Sequence, residues 1–515
     1  MASTASHMST EPYDRLTPRQ RLLGGLALGL ANFMVVLDLT IANVSVPHIS
    51  GNLGISPSQG TWVITSYAVA EAIVVPLTGW LSQRFGAVRC FVACAFGFGL
   101  LSILCGSSAT LGMLVACRIG QGLCGGPLMP LTQTLLMRVY PPQKRAQAMG
   151  LWAMTSLMGP AMGPVLGGFI SDNLTWHWIF FINVPVCLFC AFTARALLRR
   201  VETPTTRLPI DGIGLGLMVI WIGCLQIMLD IGREHDWFAD PTVLGLGLAA
   251  VVFLIAFVIW ELTDEHPIVN LRIFRHRSFS VGAITLSLGF GTYFAGIVVI
   301  PQWMQISLGF TATQSGIATA MTATMGLLVA RIPPILVGKY DPRILLSCGL
   351  FWIGCCTLVR VNWTSSADLF TLMLPQLMMG LGMPFFFITV TAMSLSAIPP
   401  GELASAAGLQ NFMRSIAVAF ATSITMTYWN DQARVAGSEL AGKINYEGTS
   451  ATLGTMGFSP EQARMVIAQL VDKEALTLAT DKIFLIAGLL TWAVAAWVWL
   501  SPRPKGPVGM GAGGH

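Results

Sequence analysis

The chain has 515 residues, of which 54% are apolar and only 10% are charged, and its mean hydropathy is +0.69. Soluble domains carry roughly 25% charged residues, so this composition excludes an ordinary soluble protein. The net charge of +5 does not indicate a nucleic-acid partner, because no basic run is interleaved with aromatic residues. The eleven cysteines show no zinc-ligand spacing with histidine, so we expect neither a metal site nor a bound cofactor.

Apolar stretches long enough to cross a bilayer recur along the whole chain. A spanning helix needs about 20 such residues, and these stretches lack the alternation typical of barrel strands. The sequence therefore predicts an all-α membrane protein with fourteen transmembrane helices in a lipid bilayer. The predicted spans lie near 22–46, 61–82, 88–107, 110–136, 147–171, 177–198, 211–230, 242–262, 280–306, 312–338, 344–361, 370–397, 403–430 and 482–501.

Basic residues alternate from loop to loop and set the predicted orientation. The N-terminal tail holds Arg15, Arg19 and Arg21, and every second short loop is also basic, whereas the short loops between them hold only Arg233. By the positive-inside rule, both termini are predicted to be cytoplasmic. The long segment 431–481 is predicted to be a periplasmic loop.

The chain also contains an internal repeat. Segments 141–151 and 399–409 share two prolines, two alanines and a Gly-Leu pair at the same spacing, and Gly122 matches Gly380 at the same offset. One such match also arises by chance, but it favours two parallel six-helix bundles with two helices inserted between them. The predicted parts are a cytoplasmic tail (1–21), an N-terminal six-helix bundle (22–200), two additional transmembrane helices (201–270), a C-terminal six-helix bundle including the periplasmic loop (271–501) and a cytoplasmic tail (502–515).

Three ionisable side chains lie inside predicted spans of the first half: Asp38, Glu71 and Arg118. A carboxylate at such a depth costs roughly 2.5–3.5 kcal/mol on insertion scales, which makes it a candidate functional group. The expected depths of the three are similar, so we interpret them as a proton-coupling cluster. A static buried ion pair that only orders the helices is the alternative, and for Glu71 the two readings carry equal weight.

The fifth predicted span combines glycines with prolines, at Gly159, Pro160, Gly163, Pro164 and Gly167. Glycines at four-residue spacing let a second helix approach closely, and prolines bend a helix. Close packing explains most of this pattern, and a role in conformational rocking is compatible with it.

Polar and aromatic residues in other spans are candidates for lining a substrate cavity. For the basic residue at position 414, binding of an anionic group and structural pairing both remain open. The candidate cavity residues are Asn32, Phe33, Gln133, Phe290, Tyr293, Phe385, Phe386, Asn411 and Arg414.

Several ordered motifs together resemble the major facilitator superfamily. Within it, the chain is similar to the fourteen-helix drug:proton antiporters and to the EmrB-type subunits of Gram-negative tripartite pumps, and the resemblance covers essentially the whole chain. The motifs lie at 38–47, 79–89, 118–122, 159–168, 176–185 and 225–230.

This resemblance implies a transporter rather than an enzyme, with multiple spans in the bacterial inner membrane, that exports hydrophobic toxic compounds against a proton gradient. It implies that Asp38 is a proton site and that Arg118 couples protonation to conformation. The loop 79–89 matches a cytoplasmic motif that stabilises the outward-open state, through Gly79, Arg84, Gly86 and Arg89. The chain departs from that motif at Gln83, where the superfamily usually has an acidic residue, and Glu71 is an unusual acid for this branch.

The resemblance also implies a periplasmic membrane-fusion adaptor and an outer-membrane channel as partners, with the segment 431–481 as the docking candidate. Within it, Ser459, Pro460 and Gln462 predict a capped amphipathic helix that meets the adaptor or lies on the membrane. An importer of a small solute remains an alternative, as does a membrane-bound oxidoreductase or ligase. The sequence contains no phosphate-binding loop of the GxxxxGK[ST] type, which argues against ATP as the energy source.

Overall fold

The computed structural model describes residues 12–206, 209, 211–232, 235–265, 267–337, 339–396, 398–399 and 401–503, so Arg233 and most of both tails lie outside the described residues. Within these ranges the chain forms helices and no strand, which confirms the all-α prediction. The α-helices are α1 (Pro18–Leu53), α2 (Pro57–Val74), α3 (Thr78–Phe85), α4 (Ala87–Gly106), α5 (Leu111–Gly125), α6 (Leu128–Val139), α7 (Arg145–Asn173), α8 (Trp178–Phe181), α9 (Asn183–Thr193), α10 (Gly212–Ile231), α11 (Pro241–Thr263), α12 (Arg277–Ile306), α13 (Ala312–Val329), α14 (Ile332–Val337), α15 (Pro342–Val359), α16 (Leu369–Ser396), α17 (Leu403–Lys443), α18 (Tyr446–Thr455) and α19 (Pro460–Trp497).

Length and apolar composition identify the membrane-crossing helices. Within the described part of the chain, nine helical stretches are long and apolar enough to cross a membrane, and counting the bent pair α2–α3 as one span adds a tenth. The predicted windows 61–82 and 110–136 are each divided into two helices, at Pro76 and at Pro127. Proline lacks an N–H and clashes with the preceding turn, and α2 and α3 meet at 59°.

The segment 431–481, between the last two apolar windows, is mostly helical, and its periplasmic location stays a prediction. Helix α17 continues to Lys443, and α19 begins at Pro460 and runs through the last apolar window. The predicted cap is confirmed, because the Ser459 hydroxyl accepts from Gln462 N–H at 3.2 Å and the Gln462 side chain accepts from Ser459 N–H at 2.9 Å. Low hydropathy marks where these helices leave the apolar region, and it does not mark where they end.

The two halves use the same helix pairs. Helix α1 packs on α7 and α2 on α5 in the first half, whereas α12 packs on α17 and α13 on α16 in the second. A Cβ built on Gly122 would lie 2.5 Å from the Tyr67 carbonyl oxygen, and one built on Gly380 would lie 2.5 Å from that of Thr322. The matched glycines thus permit the same close helix contact, which supports the internal repeat; Pro400 of the repeat lies outside the described residues.

We call the end of the bundle where α1 begins the lower end, and the opposite end the upper end. The halves touch at the lower end, where a Cβ on Gly79 of α3 would lie 2.7 Å from Ser405 Cα of α17. Nearby, the Asn411 amide donates to Gln133 Oε1 at 2.8 Å, which links α17 to α6. These contacts close the lower end of the space between the halves.

Helix α10 of the inserted pair packs against both halves, and α11 packs against α10. Trp221 of α10 lies beside Phe257 of α11 and Phe412 of α17, with ring centroids 6.1 and 5.8 Å away. The same apolar cluster includes Ala72 of α2. The inserted pair therefore bridges the seam between α2 and α17.

Glycines of α7 bring it against α1, as the sequence predicts. A Cβ on Gly159 would lie 2.6 Å from Val36 Cγ1, and one on Gly163 would lie 2.6 Å from Thr40 Cβ and overlap Thr40 Oγ1. The Thr40 hydroxyl donates to the Gly159 carbonyl at 3.2 Å. Small residues thus allow backbone contact where lipid supplies no hydrophobic driving force between helices.

We expect Gly163→Ala to destabilise the protein by about 1–3 kcal/mol, the usual cost of overpacking, because the added methyl group overlaps Thr40. Gly168→Ala is the matched control, since nothing lies within 4 Å of a Cβ there. The measurement is the midpoint of thermal unfolding of each purified variant in detergent. Equal midpoints for the two variants would contradict the close α1–α7 contact.

Candidate functional site

Asp38 of α1 and Arg118 of α5 form a salt bridge inside the first half. Arg118 Nη1 lies 2.5 Å from Asp38 Oδ2, and both side chains are 0% exposed. Burying two charges costs several kcal/mol per ion, which only good geometry and further hydrogen bonds offset. The structure therefore brings together two of the three ionisable residues that the sequence singled out.

Three polar side chains complete the hydrogen bonding of this pair. The Asn183 amide of α9 donates to Asp38 Oδ1 at 2.7 Å, and the Gln121 amide donates to the same oxygen at 3.3 Å. Gln121 also accepts from Arg118 Nη1 at 2.8 Å and donates to Ser102 Oγ of α4 at 2.7 Å. The carboxylate thus accepts from three donors, namely Arg118, Gln121 and Asn183.

Backbone and aromatic groups enclose the guanidinium of Arg118. Its Nε donates to the Val63 carbonyl of α2 at 3.0 Å. Its Cζ lies 4.3 Å from the centroid of the Tyr67 ring and 5.5 Å from that of Phe180, both within the range of cation–π attraction. The Nη2 atom is buried without a hydrogen-bond partner in the described structure.

The sequence alone did not identify Gln121, Ser102 and Asn183 as site residues. Gln121 and Asn183 lie within motifs that carry the family resemblance, and amides in apolar windows are a usable signal. Ser102 gives no such signal, because serine is common in membrane helices and often bonds to its own backbone.

Glu71 makes no hydrogen bond to Asp38 or Arg118 within the described structure, although it lies within electrostatic range of both. It is 5% exposed and lines a cavity between the two halves. Along α2, Glu71 lies eight residues below Val63, a separation of about 12 Å at the rise of an α-helix. Glu71 therefore stands apart from the hydrogen-bonded pair, and its part in a proton-coupling cluster stays a prediction.

The cavity has a volume of about 350 Å³ and is largely apolar. Helices of both halves and the inserted helix α10 form its walls. Its polar members include Thr40, Thr65, Glu71, Ser156, Gln226, Asp230, Arg414, Ser415, Thr422 and Ser423, and its apolar members include Val36, Leu39, Ile64, Met129, Pro160, Leu229, Phe290, Phe294, Ile297, Val298 and Val418.

Arg414 presents a buried positive charge to this cavity. It is 5% exposed, and its Nη2 lies 3.4 Å from the sulfur of Met129. Its Cζ lies 5.0 Å from the Phe290 ring centroid and 5.7 Å from that of Trp152. Its electrostatic partner is Glu71, which lines the same cavity.

Only Phe290 and Arg414 of the predicted cavity residues line the cavity. The Asn32 amide instead donates to Ser156 Oγ at 2.8 Å and so ties α1 to α7. Gln133 and Asn411 bond to each other across the halves. The remaining four do not line the cavity: Phe33, Tyr293, Phe385 and Phe386. Only one face of a helix points toward the cavity, and the sequence does not define which face that is.

The loop 79–89 lies at the lower end, where the halves meet. Gly86 has φ +93° and precedes α4, and the Glu202 carboxylate accepts from Val88 N–H at 2.9 Å and from Arg89 N–H at 3.1 Å. The Arg84 guanidinium lies 5.3 Å from the Trp80 ring centroid. Glu202 thus supplies an acidic group to the N-terminus of α4, whereas position 83 is Gln.

Inserted helix α10 contributes cavity residues that the sequence did not single out individually. Gln226, Leu229 and Asp230 line the cavity, and the Thr65 hydroxyl of α2 donates to Asp230 Oδ2. An acid at the end of an apolar window is the signal that would have found Asp230. No group of three or more His, Cys, Asp or Glu side chains in the described ranges could hold a metal ion.

A second buried guanidinium lies in the C-terminal half. Arg360 is 2% exposed, and its Nη2 donates to Gln376 Oε1 at 2.8 Å. Gln376 stands four residues before Gly380, as Arg118 stands four residues before Gly122. The repeat therefore places an uncharged amide where the first half has its buried arginine.

Known proteins share both the sequence and the fold of this chain. Residues 28–422 match the Major Facilitator Superfamily. The chain is 41% identical over 502 residues to the multidrug export protein EmrB of Escherichia coli strain K12, covering 96% of this chain and 98% of that protein. It is 40% identical over 495 residues to the fatty acid resistance protein FarB of Neisseria gonorrhoeae, covering 95% of this chain and 97% of that protein.

Solved structures extend the likeness to the fold alone. The proton:xylose symporter XylE matches with a TM-score of 0.60 at 13% identity, over 95% of this chain and 98% of that chain. The human organic anion transporter MFSD10 matches with a TM-score of 0.56 at 13% identity, over 92% of this chain and 100% of that chain.

We expect Asp38→Asn and Arg118→Gln each to cost about 3–5 kcal/mol, because each leaves one buried charge unpaired. The double variant should lose clearly less than the sum, by about 1 kcal/mol or more, since it removes both charges. The measurement is the free energy of unfolding by sodium dodecyl sulfate in mixed micelles. Additive losses would show that the two side chains do not interact.

Proposed function

Since the chain belongs to the Major Facilitator Superfamily and to its EmrB-type multidrug transporters, we propose that it is a proton-coupled antiporter that exports hydrophobic toxic compounds. It crosses the bacterial inner membrane with fourteen helices and has both termini in the cytoplasm. The proton is the coupling ion, and transport needs no other cofactor.

The buried Asp38–Arg118 pair is the observation that carries this proposal. A carboxylate enclosed within a membrane-spanning bundle is costly and is retained mostly for ion or proton handling. Its neighbours come from α2, α4 and α9, so a change in its charge acts on several helices at once.

Protonation of Asp38 supplies a switch between two arrangements. The neutral acid no longer attracts the guanidinium. The guanidinium then keeps its hydrogen bonds to the Val63 carbonyl and the Gln121 amide oxygen. Helix α1 is thereby released from α5, and α1 is the helix that packs along the glycines of α7. Release of the proton restores the pair and returns α1 to its place.

The apolar cavity supports hydrophobic small molecules as substrates. Its aliphatic and aromatic walls suit compounds of varied shape, and Glu71 and Arg414 offer opposite charges to polar groups. Two relatives are named a multidrug export protein and a fatty acid resistance protein, and these names agree with hydrophobic substrates of varied shape.

The direction of transport follows from the orientation that the basic loops predict. In that orientation the lower end faces the cytoplasm, and the contacts of Gly79 with Ser405 and of Gln133 with Asn411 close that side. Substrate then enters when the halves separate at the lower end and leaves toward the periplasm. An importer would use the same motions in reverse, so the direction of flux separates the two functions.

The extended upper helices support an adaptor as a partner. Beyond the apolar windows, exposed apolar side chains lie on α17 at Val435, between α18 and α19 at Met456 and Phe458, and on α19 at Met465. We propose that this helical region binds a periplasmic membrane-fusion adaptor, which connects the transporter to an outer-membrane channel.

We expect Asp38→Asn to abolish proton-driven transport, because an amide cannot gain or lose the coupling proton. The measurement is the flux of ethidium, and separately of a hydrophobic weak acid, in proteoliposomes with an imposed proton gradient. Glu71→Gln tests whether a second carboxylate takes part.

Asp472→Asn is the control for that experiment, since Asp472 is an exposed carboxylate on α19. Its flux should equal that of the wild-type protein. Gradient-driven flux that survives Asp38→Asn unchanged would refute the proton-site assignment, and gradient-driven uptake in place of export would favour the importer.

A further inference from the structure

Helix α10, one of the two helices inserted between the halves, forms part of the cavity wall. Its residues Gln226 and Asp230 both line the cavity. They stand four residues apart, and residues at this spacing share one face of an α-helix. The inserted pair therefore does more than fill the seam between α2 and α17, because it presents two polar side chains to the central space.

Gln226 is a buried amide that faces the cavity without a protein partner. It is 9% exposed, and its side chain makes no hydrogen bond to any described residue. An amide has two donor hydrogens and an acceptor oxygen, and those of Gln226 are not among the enclosed, unpartnered polar atoms of the described residues. They are therefore open to a hydrogen-bonding ligand in the cavity.

Asp230 adds a carboxylate one turn further along α10. The Thr65 hydroxyl donates to its Oδ2, which fixes the carboxylate against α2. On the other flank, the Ser423 hydroxyl of α17 donates to the Leu229 carbonyl at 2.6 Å. Above it, Trp237 Nε1 donates to Thr427 Oγ1 of α17 at 3.1 Å. The upper part of α10 is thus held in place by hydrogen bonds to both halves.

We propose that Gln226 and Asp230 form a specificity site for amphipathic amines. The ammonium group of the substrate lies beside the Asp230 carboxylate and donates to the Gln226 amide oxygen, and its apolar body lies against Leu229 and Phe290. This inference rests on the proposed function in one respect, because it takes the cavity to be where transported compounds bind. Arg414 lies on the cavity wall that α17 forms. Its positive charge repels an ammonium group, so the amine binds at the wall that α10 forms.

Equilibrium binding tests the site without requiring transport. The full-length protein in lipid nanodiscs is titrated calorimetrically with phenylbutylamine and phenylbutanol, which share one apolar skeleton and differ in charge. Asp230→Asn should raise the Kd of the amine by roughly tenfold or more, the usual effect of losing a charged hydrogen bond, and leave the Kd of the alcohol within about twofold. Gln226→Leu should weaken both ligands by several-fold, because both offer a hydrogen-bonding group to the amide.

Two further variants separate recognition from structural damage. Ile227→Leu changes a neighbouring α10 residue outside the cavity lining and should leave both ligands unaffected. Thr65→Val removes the donor to Asp230 and keeps the carboxylate, so it should weaken the amine less than Asp230→Asn does. The ratio of the two Kd values is the decisive readout, because a general disturbance of α10 would weaken both ligands equally.

The proposal is overturned if Asp230→Asn weakens both ligands equally or neither, or if the amine does not bind to the wild-type protein. Failure of proton-driven export in proteoliposomes would overturn the proposed function and leave these binding results standing. The two inferences therefore fail separately.

Discussion

The buried ion pair between Asp38 and Arg118 is the constraint on which the first half depends. Its charges are removed from water, so every remaining donor and acceptor position needs a partner. Val63 of α2 and Asn183 of α9 bond directly to the pair. Ser102 of α4 acts one step further out, because it accepts from Gln121 and Asn183. With α1 and α5, the pair thus fixes five helices relative to one another.

The two halves repeat the same helix packing but not the same electrostatics. Gly122 and Gly380 make matching close contacts, yet Arg118 corresponds to the uncharged Gln376. The C-terminal half carries its buried guanidinium, Arg360, on a different helix, and it bonds to Gln376 rather than to a carboxylate. Among the described residues, the buried Asp38–Arg118 pair therefore has no counterpart at the matching positions of the C-terminal half, where Gln376 stands in place of Arg118.

The sequence was sufficient to identify the membrane class and the paired charges, and insufficient to place groups in three dimensions. Asp38 and Arg118 were recognisable because few charges occur within apolar windows. The sequence did not show that the Glu71 side chain lines the cavity, because that depends on how α2 is rotated. Cavity lining depends on how helices are rotated, so Asn32 and Gln133 proved to be packing residues. The sequence showed only part of the helical content of the polar segment 431–481, because hydropathy reports burial in lipid and not helix formation.

The contact of Gly79 with Ser405 brings the two halves close together, because a Cβ at position 79 would lie 2.7 Å from Ser405 Cα and overlap the Ser405 side chain. Such a contact leaves no room for a larger residue. One extra methyl group at position 79 would penalise only the state with the lower end closed. A penalty of about 3 kcal/mol changes the ratio of two conformations by more than a hundredfold. We therefore expect a larger residue at position 79 to shift the resting equilibrium of the empty transporter away from the state with the lower end closed.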